Sequence, residues 1–224
     1  MATAKRMTKE ELREDKVLTA VKEFKEYAQD NSQSLIILGV VLVAAIVGAT
    51  MWKNSRAQSE QNAALASAQA QRLYYAGEFS GALSMFEEVE SKYGSTHAAK
   101  SVALFLGNCQ LSAGNPAAAE ASFRKFLGKA GNNPIDSSAA HRGIGAALFD
   151  QGKAAEAGAE YKQAAQIEGN PLAVDDWMSA GLAFATAGQS SEAESAYGTV
   201  VDDFVGSARA QEARIRMKEV ASGS

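Results

Sequence analysis

The hydropathy pattern is dominated by one uninterrupted apolar block. Residues Leu35 to Trp52, LIILGVVLVAAIVGATMW, form 18 consecutive positions without a charge. As a helix rising 1.5 Å per residue the block covers about 27 Å, close to the hydrocarbon thickness of a bilayer. It therefore predicts one transmembrane helix over residues 34–53. A buried core helix seldom lacks every charged position over this length, and a cleaved signal peptide would lie nearer Met1. Trp52 and Lys53 stand where an interfacial aromatic and a snorkelling cation end a span.

Upstream, residues 1–33 form a charged tail in which Leu12, Val17, Leu18, Val21, Phe24 and Ala28 recur at helical intervals. Thr8-Lys9-Glu10-Glu11 has the form of a capping box, so an amphipathic helix is predicted from about residue 9 to 29. Its polar face mixes Lys with Glu, which fits either a helix lying against headgroups or one docking on a membrane partner. Downstream, residues 54–62 either continue the membrane helix or link it to the C-terminal part of the chain. Ala44 with Gly48, and Ala45 with Ala49, have the small-xxx-small spacing that permits close helix approach, a spacing also common by chance in such a helix. Lys16, Lys22 and Lys25 before the span balance Lys53, Arg56 and Arg72 after it. Adding Lys5, Arg6, Lys9 and Arg13 tips the bias toward a cytoplasmic N-terminus. Everything beyond residue 53 would then lie outside, which in a bacterium is the periplasm.

Beyond the span the pattern repeats. Gly77, Gly114, Gly152 and Gly188 are spaced by 37, 38 and 36 residues. Each is followed five residues on by an alanine (Ala82, Ala119, Ala157, Ala193) and four further on by an aromatic (Phe86, Phe123, Tyr161, Tyr197). A period in this range signals stacked supersecondary units. The physical reading is a helical hairpin: glycine turns the chain, alanine lets two helices approach, and the aromatic fills the space between them. Gly107, Gly145 and Gly181, seven residues before the turn in units two to four, mark a second close crossing, with Ala70 in that place in unit one. Trp177 opens the fourth unit.

These positions resemble the tetratricopeptide repeat over about residues 63–206, with initial Trp present only in unit four and Pro134 and Pro171 falling slightly late. The period exceeds the usual 34, implying longer connections between units. Residues 207–224, with Arg209, Arg214, Arg216 and Lys218, predict a polar capping helix and tail. The expected fold is all-α: a tetratricopeptide-repeat superhelix of about four hairpins plus a cap, preceded by one transmembrane helix.

Composition adds exclusions. Hydrophobic residues make up 46% and charged residues 21%, with three prolines and a net charge of −4, as for a folded helical protein. Basic residues are scattered rather than striped with aromatics, so no nucleic-acid partner is expected. Cys109 is the only cysteine, which excludes an intramolecular disulfide, and it is expected to be half-buried and inert. His97 and His141 lie in different units without ligand spacing. The acidic pairs Glu87-Glu88, Asp175-Asp176 and Asp202-Asp203 read as solvated helix faces, because neighbours on a helix diverge by about 100°. No HExxH, GxSxG or phosphate-binding loop occurs. Neither enzymatic activity, nor a cofactor, nor a small-molecule substrate is expected.

The repeat resemblance implies a concave groove lined by the first helix of each hairpin. Its residues here would include Ser67, Gln71, Tyr74, Leu104, Asn108, Arg142, Phe149, Met178 and Leu182, unless several simply pack between hairpins. Leu104 beside Asn108, and Ala146 near Arg142, leave the carboxylate clamp of chaperone-binding members unassembled, so an apolar helix or extended segment is the expected ligand. The layout of cytoplasmic tail, single span and outer repeat domain resembles the YfgM-like family of bacterial inner-membrane proteins. That resemblance implies partners among secretion-translocon subunits, periplasmic chaperones and newly exported proteins. A structural accessory subunit of a larger membrane complex, or an inward-facing scaffold, would share the same layout.

Overall fold

The computed structural model describes residues 11–129 and 133–223, and among them ten α-helices and no strand. These are α1 (Glu11–Asp30), α2 (Ser32–Tyr75), α3 (Phe79–Tyr93), α4 (Val102–Ser112), α5 (Pro116–Lys129), α6 (Pro134–Asp150), α7 (Ala154–Gln166), α8 (Ala173–Thr186), α9 (Ser190–Asp203) and α10 (Arg209–Ser222). The chain divides into two compact units, Met1–Ala57 and Gln58–Ser224. The expected capping box begins at Thr8, outside the described residues.

In the first unit, Asn31 lies between α1 and α2: its backbone N–H and side-chain amide both donate to the Tyr27 carbonyl, at 3.0 and 3.1 Å, and its carbonyl accepts from Leu35 N–H at 3.0 Å. Helix α2 then starts and carries the apolar block. By length and composition it is long and apolar enough to cross a membrane, and none of its apolar window is buried inside the molecule. Residues 54–62 lie inside α2, so of the two alternatives for that stretch the helix continues.

The second unit is a stack of hairpins. At every predicted turn glycine the backbone is left-handed, with φ of 81° at Gly77, 72° at Gly114, 77° at Gly152 and 74° at Gly188. Side chains are disfavoured there, and each turn closes with the paired hydrogen bonds of a Schellman motif. In the first, Gly77 N–H donates to Tyr74 O and Glu78 N–H to Leu73 O; the second, third and fourth repeat this at Gly114/Asn115, Gly152/Lys153 and Gly188/Gln189.

The paired helices meet where side chains are absent. A Cβ added at Gly107 would stand 2.7 Å from the Phe123 ring, one at Gly145 3.0 Å from Tyr161, and one at Gly181 2.5 Å from Tyr197. In the first hairpin Ala70 takes this place, packed in the same cluster as Phe86. Ala82, Ala119, Ala157 and Ala193 are all fully buried. The second helix of each hairpin packs on the first helix of the next, α3 on α4, α5 on α6 and α7 on α8, and α9 packs in turn on α10. Core clusters therefore run across hairpin boundaries. Helix α10 buries Ala210 and Ala213 and lays Met217 and Val220 against the last cluster, covering an apolar face that would otherwise meet water.

The joints between hairpins are individually tied. Glu60 of α2 accepts the backbone N–H groups of His97 and Ala98, at 2.7 and 3.0 Å, in the turn before α4. Asn133 caps α6 by accepting from Ile135 N–H, and Pro134 follows as a first-turn residue whose missing donor costs nothing there. The late position of this proline thus belongs to the start of the next hairpin.

Candidate partner-binding groove

The residues predicted to line the groove lie on α2, α4, α6 and α8, and the structure places them differently. Ser67 is buried at 4% exposure, with its hydroxyl unpartnered among the described residues, and offers no surface to a ligand. Gln71, Tyr74 and Asn108 are half-buried, and Asn108 lies near the Tyr74 hydroxyl. Leu104 packs inward against two core clusters. Phe149, Met178 and Leu182 border open clefts. Phe149 lines one of about 380 Å3 with Lys153 and Thr186, and Met178 and Leu182 line another of about 210 Å3 with Tyr197 and Arg209. Leu182 is 51% exposed.

Arg142 is on the predicted helices but is already occupied. Its guanidinium forms a two-pronged contact with Asp176, Nε to Oδ1 at 2.5 Å and Nη2 to Oδ2 at 2.7 Å, and Nη2 also reaches Asn170 Oδ1 at 3.3 Å. Asn170 in turn donates to Asp176 and to the Ala164 carbonyl, and its Oδ1 accepts from Leu172 N–H. Asp176, read from sequence as part of a solvated acidic face, is 1% exposed. A buried carboxylate is tolerated because every contact answers its charge or lone pairs. Its neighbour Asp175 stays outside and pairs with Arg209 at 3.0 Å.

Other charges are spent between hairpins. Glu160 accepts from Arg124 at 3.4 Å and lies 2.7 Å from Nδ1 of His141, which accounts for that histidine, and Lys125 pairs with Glu90. Gln151, Arg124 and Lys153 hold the Glu120 carboxyl below its ordinary range. Burial pushes the Tyr161 hydroxyl up to about 12, with Asp150 and Asp176 adding to it. Cys109 is fully buried rather than half-buried, and burial pushes its thiol up, the opposite of what an activated nucleophile needs. Among the described residues no group of three His, Cys, Asp or Glu side chains could hold a metal ion.

Sequence spacing did not single out the ring chain at the first hairpin. Phe86 stacks on Phe105 at 5.5 Å and 11°, Phe105 meets Tyr74 edge-on at 5.4 Å, and Tyr74 meets Tyr75 and Phe79 at 5.4 and 5.5 Å. The chain of rings starts in the core and ends at the surface, where Tyr75 is 75% and Phe79 40% exposed. The available signal was the local density of aromatics around the first turn.

No curated protein matches the chain. Among solved structures it is similar to a Podosopora anserina protein assigned as a kinesin light chain with nearly identical TPR-like repeats, crystallised as a substitution variant. The match has 15% identity, 70% coverage of this chain, 92% of that one, and a TM-score of 0.54. That likeness shows the fold, a TPR-like superhelix. The family described as tetratricopeptide repeat-like domain matches residues 25–222, a stretch that takes in the apolar block and all four hairpins. The chain belongs to the tetratricopeptide repeat-like domain family.

Proposed function

We propose that the protein is a single-pass, membrane-anchored scaffold whose repeats hold apolar segments of other proteins, without chemistry of its own. One observation carries the binding mode: the first-helix side keeps apolar side chains exposed, while the nearby cations are consumed. Leu182 and Tyr75 face solvent, Arg142 is taken by Asp176, and Arg209 by Asp175 and Glu212. Such a surface favours an uncharged helix or extended segment over an acidic tail. Replacing Leu182 by Asp should abolish capture of apolar peptides by the repeat unit while leaving its helix content and unfolding midpoint unchanged. Retained capture would remove the groove assignment.

For the anchor, α2 supplies an apolar run of sufficient length, and the basic bias of the N-terminal segment favours a cytoplasmic N-terminus. The repeats then lie in the periplasm of a bacterial inner membrane, where a YfgM-like role beside the secretion translocon would expose the groove to exported chains and their chaperones. Protease added to intact spheroplasts should digest the repeats; protection until lysis would place them in the cytoplasm. Copurification from crosslinked membranes should recover translocon subunits or exported proteins. Stoichiometric recovery of one stable complex instead would make the chain an accessory subunit.

A further inference from the structure

At the edge of the stack opposite the turn glycines, the chain passes from each hairpin to the next. Three of these joints put an apolar side chain into water: Ile135 in the first turn of α6, Leu172 just before α8 and Val205 just before α10, which are 57%, 44% and 68% exposed. Ile135 and Leu172 are held in the same way. In Asn133-Pro134-Ile135 and Asn170-Pro171-Leu172 the asparagine Oδ1 accepts the N–H of the apolar residue, at 3.1 and 2.9 Å, and the proline fixes the backbone between them. Consecutive joints adjoin. A Cβ added at Gly169 would stand 3.8 Å from Pro134 Cβ, and Arg209, four residues after Val205, reaches Asp175, three after Leu172, at 3.0 Å. The three side chains therefore form a row along one edge, two of them displayed by turns that are already ordered.

The uncompensated charge along this row has one sign. No lysine or arginine occurs between Lys162 and Arg209. Glu168 follows the end of α7, and Asp202 and Asp203 close α9 just before Val205; all three are exposed and take part in no ion pair among the described residues. Arg209 is taken by Asp175 and Glu212, and Lys162 stands about one turn before the end of α7. Neither α7 nor α9 carries a basic residue in its last turn, so these carboxylates stand at the negative ends of two helix dipoles, where a cation is the favoured neighbour. An apolar row edged in this way repels an anionic lipid surface or an acidic segment. It is complementary to a segment that carries apolar and cationic side chains together.

We infer that the joint edge from Ile135 to Val205 is a second docking surface, and that its occupant is a protein segment in which Lys or Arg accompanies apolar residues. The apolar side chains meet Ile135, Leu172 and Val205, and the cations meet Glu168, Asp202 and Asp203. This surface is separate from the groove, since Leu182 stands about 15 Å along α8 from Leu172. It does not depend on the groove reading.

The test uses the full chain in phosphatidylcholine nanodiscs and a fluorescein-labelled short peptide of alternating Lys and Leu, read by anisotropy with empty discs subtracted. Binding should weaken several-fold in E168Q/D202N/D203N and in I135S/L172S/V205S, each checked by circular dichroism, and should fall with added salt. L182D should leave it unchanged. Amide exchange should slow at residues 168–172 and 202–206 when the peptide is added. No binding, or equal affinity for the peptide with Glu in place of Lys, would overturn the inference. Binding lost in L182D but kept in both edge variants would put the peptide in the groove, so that the edge is wrong and the groove reading stands. Protection of the same amides that grows with protein concentration in the absence of peptide would overturn a foreign segment in favour of a second copy.

Discussion

Glycines in this chain do different work, and the same substitution should have opposite signs at different ones. Gly181 lies against the ring of Tyr197, a fully packed aromatic, so a methyl group there forces two helices apart. G181A should lower stability to urea by about 1–3 kcal/mol. Gly198, inside α9, has nothing within 4 Å of an added Cβ, and G198A should raise stability by about 0.5–1 kcal/mol through reduced unfolded-chain entropy. Equal shifts in the two variants would refute the close-crossing account. Arg142→Ala would leave the Asp176 carboxylate buried with its cation gone, and the expected loss is about 3–5 kcal/mol, read from the same urea curves. Titration supplies a third handle. The folded Glu120 carboxyl is held below its unfolded value by Gln151, Arg124 and Lys153, so its contribution is present above about pH 4.5 and fades as pH falls further. The stability gap between wild type and Glu120→Gln should therefore be widest near neutral pH and shrink on acidification; a gap that widens in acid would have the wrong sign.

At the scale of elements, local chemistry was readable and long-range pairing was not. The four turn glycines, spaced at regular intervals, mark hairpin turns because a left-handed residue ending a helix must nearly always be glycine. The alanine and aromatic offsets worked for a similar reason: they report one helix packing on its immediate neighbour. Asp176 escaped because its partner lies 34 residues away in another hairpin, and adjacency to Asp175 suggested a solvated face. Ser67 escaped likewise, since its register on α2 matches groove positions in the later hairpins while its own position is covered. The groove was legible as a helix face but not as a surface, because which side chains remain open depends on what each neighbouring hairpin places against them. Glu60 tests the element scale directly. E60A would strip two backbone donors in the turn before α4 of their acceptor, and about 1–2 kcal/mol should be lost, with amide exchange accelerating first at His97 and Ala98.

For the whole repeat unit, stability is expected to follow nearest-neighbour rules, because helix packs on helix in chain order from one hairpin to the next. Ending the chain after Gly206 removes α10 and uncovers the face of Tyr197 and Val200. Amide exchange should then quicken in α8 and α9 while α4 and α5 keep their protection; uniform loss along the array would show a single cooperative unit instead. The seam between the third and fourth hairpins also bears on how such an array can change over time. At the register of Asp176, the second and third hairpins carry Val102 and Ala140, and at that of Arg142 the first and second carry Ser67 and Leu104. Moved next to the second hairpin, the fourth would bring a carboxylate against leucine with no cation in reach. The hairpins are alike in shape yet numbered by chemistry, so duplication or shuffling of units would be penalised at this seam, where one ion pair suits the fourth hairpin to the third.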